Sequence, residues 1–362
     1  MGGKVTGIIL IGMVCLVGCS HSYQADATKA VGTGDVRLAA MGRLRGENLP
    51  ALRDIAVWEN PYGPGLELTA DHYRIRTTLL EPLMLRSVPG FIEAAHKSYN
   101  DQLPQPIETG TKFDVYLFAD RQQWEEFTRS FAGDQAPIFC KIKTGAYYLN
   151  GACVVYDIGL SRTLAALGHE GWHQFNSRHF KYRLPSWLDE GVAMLFEEHA
   201  CEQGTFRFVP ETNVQRLGAL STTLNTGGQI PLSELVTTSP GQVIASDQAG
   251  AVMAFYGQSY ALVRFLREAD GGKYLPAYQR MLWDGLSGRW PLDEAAQRTA
   301  EDRNLPRTTS WNRLVGSMLF TRYVGNDFDR LEQDYGAFCR RILKGKSFVW
   351  SDEEGFYTCA GR

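Results

Sequence analysis

Hydrophobic positions along this chain change their period several times, and each change marks an element. Asn60-Pro61-Tyr62-Gly63-Pro64-Gly65 is turn chemistry, and from Leu66 to Thr78 the alternation predicts strand, with Tyr73 and Ile75 two apart. Residues 81–101 carry a helical pattern whose start Pro82 and Pro89 should break. Phe113 to Phe118 reads as a strand, and Asp120 is placed to cap a helix through Trp124 and Phe127 to Phe131. Tyr147 to Tyr156 is the clearest hairpin, because Asn150-Gly151 suits a two-residue type I′ turn between β-branched and aromatic flanks. Leu164, Gly168, Trp172 and Phe175, with Leu167 alongside, then form a helical stripe, with Ser161 as its expected N-cap and Asn176 as its expected stop. Ser186 and Asp189 read as an S-x-x-D capping box opening another helix. Near the end, residues 310–323 and 326–343 are helical, with Phe328, Leu331, Tyr335 and Phe338 at helical spacing. The fold class expected from this order is α+β.

Composition narrows the picture only slightly. The 362 residues can bury a large core, and the 44% hydrophobic and 21% charged content is ordinary for a globular chain. A net charge of −3 gives no electrostatic case for nucleic acid. The start of the chain is different. Lys4 precedes a short apolar run from Ile8 to Leu16, too short to span a bilayer comfortably, followed by Leu16-Val17-Gly18-Cys19. Those four residues resemble the lipobox of bacterial lipoproteins. The resemblance implies cleavage before Cys19, lipid on Cys19, and a bacterial envelope location. With Ser20 rather than Asp next, the outer membrane is favoured. Cys15 would leave with the signal. Cys140, Cys153, Cys201, Cys339 and Cys359 would remain, an odd number with no C-x-x-C pair, so a cysteine metal site is not expected. In an oxidising compartment Cys339 with Cys359 is a candidate bridge, which spacing alone does not establish.

The chemistry centres on His169-Glu170-Gly171-Trp172-His173, an H-E-x-x-H pattern on the predicted helix. Residues four apart share a helix face, so two imidazoles can meet one metal ion. Glu170 lies about 100° round, beside the ion, where a carboxylate can take a proton from activated water. A second signal follows at Leu184-Pro185-Ser186-Trp187-Leu188-Asp189-Glu190-Gly191-Val192-Ala193. The capping box accounts for Asp189 but leaves Glu190 ionised in an almost wholly apolar run, which is costly without a positive partner. A zinc ion on two neutral histidines is such a partner, and Glu190 completes a His₂Glu set with one position open.

H-E-x-x-H followed by P-x-W-L-x-E-G-x-A is similar to the gluzincin, or thermolysin-like, metallopeptidases, and most of all to a bacterial branch with a peptidase-MA-like domain. The resemblance covers roughly residues 66–285. It extends upstream to the Asp71-His72-Tyr73-Arg74-Ile75 strand and downstream to Tyr256-Gly257-Gln258-Ser259-Tyr260. It implies a small mixed sheet, an active-site helix, and an edge strand beside the metal that pairs with the substrate backbone. The hairpin at 147–156 is the candidate for that strand. Carried over, His169, His173 and Glu190 are zinc ligands, Glu170 is the general base, and Tyr256 steadies the developing oxyanion, with Tyr260 one turn on. The substrate would be a peptide or protein, and the chain a monomer.

The chain departs from that pattern in two places. His179, six residues past His173, also gives H-E-x-x-H-x-x-N-x-x-H, close to the metzincin pattern, so His179 is an alternative third ligand; no convincing Met-turn accompanies it. Thermolysin has an Asp four residues after its ligand Glu, to orient a histidine. Met194 stands there in this chain, and no replacement is evident; Glu197 is a candidate, but an exposed helix position suits it better. The expected layout is a signal peptide at 1–19, a flexible tether at 20–50, a catalytic domain at 51–285, and a helical extension at 286–362 without chemistry of its own. Two rival functions remain, a non-enzymatic zinc-binding envelope lipoprotein and a hydrolase acting on a non-protein bond in the cell wall.

Overall fold

Alternation along two neighbouring strands gives the sheet two unlike faces. Val115 and Leu117 point to one side with Cys153 and Val155, while Phe118, Val154 and Tyr156 point to the other. A computed structural model describes residues 35–142, 145–246, 248, 250–303, 309–351 and 355–359. Cys19 and the lipobox lie outside them. Within them, β1 (Asp54–Trp58), β2 (Gly65–Thr69), β3 (Tyr73–Thr77), β4 (Phe113–Phe118), β5 (Ala146–Leu149) and β6 (Ala152–Tyr156) form one mixed sheet, ordered β1-β2-β3-β4-β6-β5. The β3–β4 and β4–β6 pairs are parallel and the rest antiparallel. Each parallel step needs a crossover. Helix Pro82–Asn100 makes the first and packs in the larger core, with Val88, Phe91, Ala95 and Tyr99 buried. Helix Arg121–Phe131 makes the second and covers the opposite face with Trp124 and Phe127. The motif helix, Leu160–His179, lies with helix Pro82–Asn100 on the larger-core side.

The architecture is α+β, with the second half of the chain mostly helical. Helix Ala251–Glu268 is buried along most of its length against helices Ser186–Ala193 and Val214–Thr226. Helix Phe328–Leu343 closes that side, where the Tyr335 hydroxyl donates to the Gln258 carbonyl at 2.9 Å. Two hairpins complete the described residues, β7 (His199–Glu202) with β8 (Thr205–Phe208) and β9 (Phe348–Ser351) with β10 (Phe356–Cys359). None of the described helices is long and apolar enough to cross a membrane.

Several local expectations need correction. The strand expected over 66–78 is a hairpin, because Asp71 and His72 interrupt it, and β1 precedes it. Helix Pro82–Asn100 is continuous. Pro82 takes the first turn, where no donor is lost, Glu81 caps Leu83 and Met84, and the buried face outweighs the cost of Pro89. Val36–Arg45, placed in the tether, is a helix capped by Asp35 that buries Ala40, Met41 and Leu44. The motif helix starts from Gly159, at φ 92°, rather than from Ser161, and runs past Asn176 to His179 because Asn176 finds a side-chain partner within the core. Cys339 and Cys359 are both free thiols, one buried on a helix and the other exposed on β10. The Asn150-Gly151 turn forms as expected, with positive φ at both residues.

Candidate metal centre

The sequence around the motif helix is apolar or small on nearly every face, so the helix sinks into the core from Thr163 to Asn176 with few breaks. His169 and His173, one turn apart, stand with ring centroids 5.0 Å from each other. Helix Ser186–Ala193 brings Glu190 against them, with Oε2 at 3.4 Å from His169 Nε2 and 3.7 Å from His173 Nε2. All three side chains are buried, and their ligand atoms lie within 4.8 Å of one another. His169 Nε2 and Glu190 Oε2 have no hydrogen-bond partner. Buried polar atoms left in that state are expensive, and a divalent cation would satisfy both. The cluster can hold a metal ion.

The opposite ring nitrogens are occupied, which fixes the direction of each imidazole. His169 Nδ1 is 2.9 Å from Glu197 Oε1, so against a carboxylate it is the donor. Glu197 in turn accepts from Arg216 at 2.5 and 2.7 Å and from Asn213 Nδ2 at 2.9 Å. The segment carrying Glu197 reaches the motif helix because Gly168 has no side chain; a Cβ there would stand 2.2 Å from the Phe196 carbonyl oxygen. His173 Nδ1 is 3.1 Å from Asp189 Oδ1, which also receives Trp172 Nε1 at 3.1 Å and Asn176 Nδ2 at 2.6 Å. Asp189 is therefore no capping residue. The helix begins at Pro185 without a side-chain cap, and the Ser186 amide donates instead to Asn312. A signal for Glu197 was present in the sequence. It stands close to the position, four residues after the ligand Glu, where the resemblance puts an orienting carboxylate, but the helix ends at Ala193 and a 3-10 turn over Met194–Phe196 carries the chain to it, so helical spacing alone does not place it. Arg216 and Asn213 carried no local signal.

Charge in this buried cluster is finely divided. Burial alone would raise the Glu197 carboxyl, but the Arg216 charge and its hydrogen bonds outweigh it and hold Glu197 at about 2. Burial likewise opposes ionisation of Glu190, and the two histidines reverse that, leaving it below its ordinary value. Glu170 goes the other way. Burial raises it to about 7, against a partial offset from His173 and His169. Its carboxylate accepts the backbone N–H of Tyr148 on β5, the sheet's edge strand, and its Oε1 is buried without a partner. No family model and no curated protein matches the chain.

Of the remaining sequence candidates, His179 is not brought to the cluster. Six residues at about 100° each turn it to another side of the unbroken helix, where its Nε2 meets Thr109 Oγ1 at 3.0 Å. Tyr256 is buried on helix Ala251–Glu268, its ring 5.4 Å from the Arg216 guanidinium carbon. Tyr260 points elsewhere, bonding to the Pro210 carbonyl and to Arg264. Among the described residues one other group has ligand types close together, His72, Glu93 and His96. There the two rings stack at 3.8 Å with planes 15° apart. Parallel rings direct their in-plane lone pairs side by side rather than at one point, so this group does not make a comparable site.

Proposed function

We propose that the chain is a zinc-dependent metallopeptidase of the thermolysin-like type, carried on a lipid-anchored protein of the bacterial envelope. One observation carries the reading: two histidines of one helix and Glu190 of the next converge while Glu170, buried with its Oε1 unpartnered, stands one residue from His169. The set contains two imidazole nitrogens and one carboxylate oxygen, a donor set that suits zinc. His169, His173 and Glu190 would hold the zinc, which when bound would supply Lewis acidity toward a carbonyl oxygen and an activated water. Glu197 and Asp189 keep both imidazoles in the tautomer that presents Nε2 to the ion. Glu170 would take a proton from the attacking water and return it to the leaving amine, as the carboxylate that stands beside the ligand cluster without being part of it. β5, as the edge strand whose Tyr148 amide reaches Glu170, supports alignment of an extended peptide along it. Tyr256, buried against Arg216, is the proposed donor to the developing oxyanion.

The rival, a zinc-binding envelope protein without catalysis, needs the ligands and their outer partners but has no use for a buried carboxylate at the position of Glu170. Glu170→Gln separates the two. On the peptidase reading it retains about one zinc per chain and loses hydrolysis of a mixed peptide library by at least about a hundredfold. A wild-type protein that binds zinc and cleaves no member of the library would favour the rival.

A further inference from the structure

We propose that the carboxy-terminal half of the chain carries an anion site, built by Arg280, Arg289 and Arg322, that takes the phosphate monoester of a ligand with an apolar body. The site lies on elements that hold neither the candidate metal ligands nor Glu170, and it does not depend on the peptidase reading.

Helix Leu275–Leu286 presents Ala277, Arg280 and Asp284 at three- and four-residue intervals, so the three share one face. Helix Thr309–Tyr323 packs against it and ends with Arg322 and Tyr323. Residues of both helices line a cavity of about 750 Å³, within the range of about 300–1,000 Å³ typical of ligand sites. Trp283, Pro291 and Tyr323 give it apolar and aromatic wall.

The third arginine is placed by the turn that follows the first helix. Gly288, at φ 69°, takes the left-handed conformation that ends many helices, and the Arg289 amide then donates to the Asp284 carbonyl at 2.7 Å. Trp290 pins this turn. Its ring is buried against Gly285, where a Cβ would stand 2.5 Å from it, and its Nε1 donates to the Met281 carbonyl at 2.9 Å. Arg289 and Pro291, on either side of Trp290, are thereby held at the cavity.

Charge decides the occupant. Asp284 is the one carboxylate among the described lining residues, and it is already engaged. The Tyr323 hydroxyl donates to its Oδ2 at 2.8 Å, Arg289 Nε stands 3.3 Å from Oδ1, and Arg280 Nε stands 3.6 Å from Oδ2. Both arginines make their closest approach through Nε, which leaves their paired terminal nitrogens for a ligand. Among the described residues Arg322 forms no ion pair, and it stands exposed. Burial and the bond to Asp284 raise the Tyr323 hydroxyl above its ordinary value, and the Arg280 and Arg322 charges both pull against them, so both are felt at the same wall of the cavity. Three guanidiniums against one carboxylate leave two positive charges uncompensated, in a chain whose net charge is −3. A phosphate monoester carries about −1.5 to −2 at pH 7, which matches that surplus. All the basic residues on the lining are arginines, whose forked donors suit phosphate oxygens.

The test is calorimetric titration of the full-length protein with phenyl phosphate and with phenyl sulfate, which has the same shape and one charge fewer. The phosphate should bind at least about tenfold more tightly. Arg280→Ala and Arg322→Ala, at exposed positions that do not threaten folding, should each weaken phenyl phosphate by about tenfold, the loss of one charge-assisted contact. Arg129→Ala, at an exposed arginine of helix Arg121–Phe131, should leave it unchanged. Equal binding of phosphate and sulfate overturns the site. So does a phosphate affinity that ignores both cavity variants, which puts any bound phosphate elsewhere, the metal centre included. An equal loss in Arg129→Ala overturns it as well, as general attraction between charges. Vesicles separate the two sources of such a group. Competition with phenyl phosphate by phosphatidylcholine vesicles containing phosphatidic acid, and not by pure phosphatidylcholine vesicles, assigns the site to a lipid headgroup, and binding of phenyl phosphate without that competition assigns it to a soluble ester.

Discussion

Glu197→Ala tests the outer support of the metal centre most directly, because it removes one carboxylate that serves two neighbours. His169 loses the acceptor for Nδ1. Loss of such a partner costs about 10–100-fold in metal affinity, or about 1.4–2.7 kcal/mol. Arg216 loses its counter-ion in a place where its side chain is only 12% exposed. Breaking a buried pair by removing one member costs about 3–5 kcal/mol, since the other charge stays in low dielectric. Urea unfolding of the metal-stripped protein and competition for zinc with a chromophoric chelator measure the two effects separately. The double variant Glu197→Ala, Arg216→Met distinguishes them further. Taking out the orphaned charge should restore a large part of the stability, whereas zinc affinity should remain low because the Nδ1 acceptor is still missing. A Glu197→Ala protein that binds zinc as wild type does would refute the assigned role. A double variant with wild-type affinity would refute it equally, by tracing the loss to misfolding.

Other outcomes follow from the same geometry. Glu190→Ala should reduce zinc content to well below one per chain, and His179→Ala should leave it unchanged, as elemental analysis of the purified proteins will show. The contributions of His96 and His179 to stability should also fall in mild acid. Burial, with the His72 and His179 charges added, lowers His96 to about 3, and burial with Arg178 lowers His179 to about 4. Both rings are therefore neutral in the fold where the unfolded chain, with histidine near 6.5, already takes up protons, so stability is lost as pH drops below about 6.5. For His96 the loss between pH 7 and pH 5 is about 2 kcal/mol, and for the more exposed His179 solvent screening makes it smaller. Urea unfolding of metal-stripped wild type and His96→Gln at the two pH values should show the variant losing less by about that amount.

Elements set by local pattern were legible in advance. Asp120 caps its helix as read, with the Gln123 amide 2.9 Å from its Oδ1, and the Asn150-Gly151 turn joins two strands as read. The helices over 310–323 and 326–343 match closely the observed Thr309–Tyr323 and Phe328–Leu343. Misreadings arose where a polar side chain had a distant partner. Asn176 looked like a helix stop and Asp189 like a cap, yet the two bond to each other across two helices. Pro89 looked like a break, and burial of the surrounding face overrode it.

The sequence by itself determined that two imidazoles would share one face of a helix with a carboxylate one position round, because a three-residue spacer inside a helix leaves no other arrangement. It also pointed to Glu190, as a charge that an apolar helix could not otherwise keep. Only the tertiary structure decided which groups stand behind those imidazoles. Glu197, Arg216 and Asp189 act through side-chain contacts between separate elements, and periodicity carries no information about such contacts. The same holds for β9–β10, whose short strands have little stability or meaning until Tyr357 lies on Gly218, some 140 residues away in sequence.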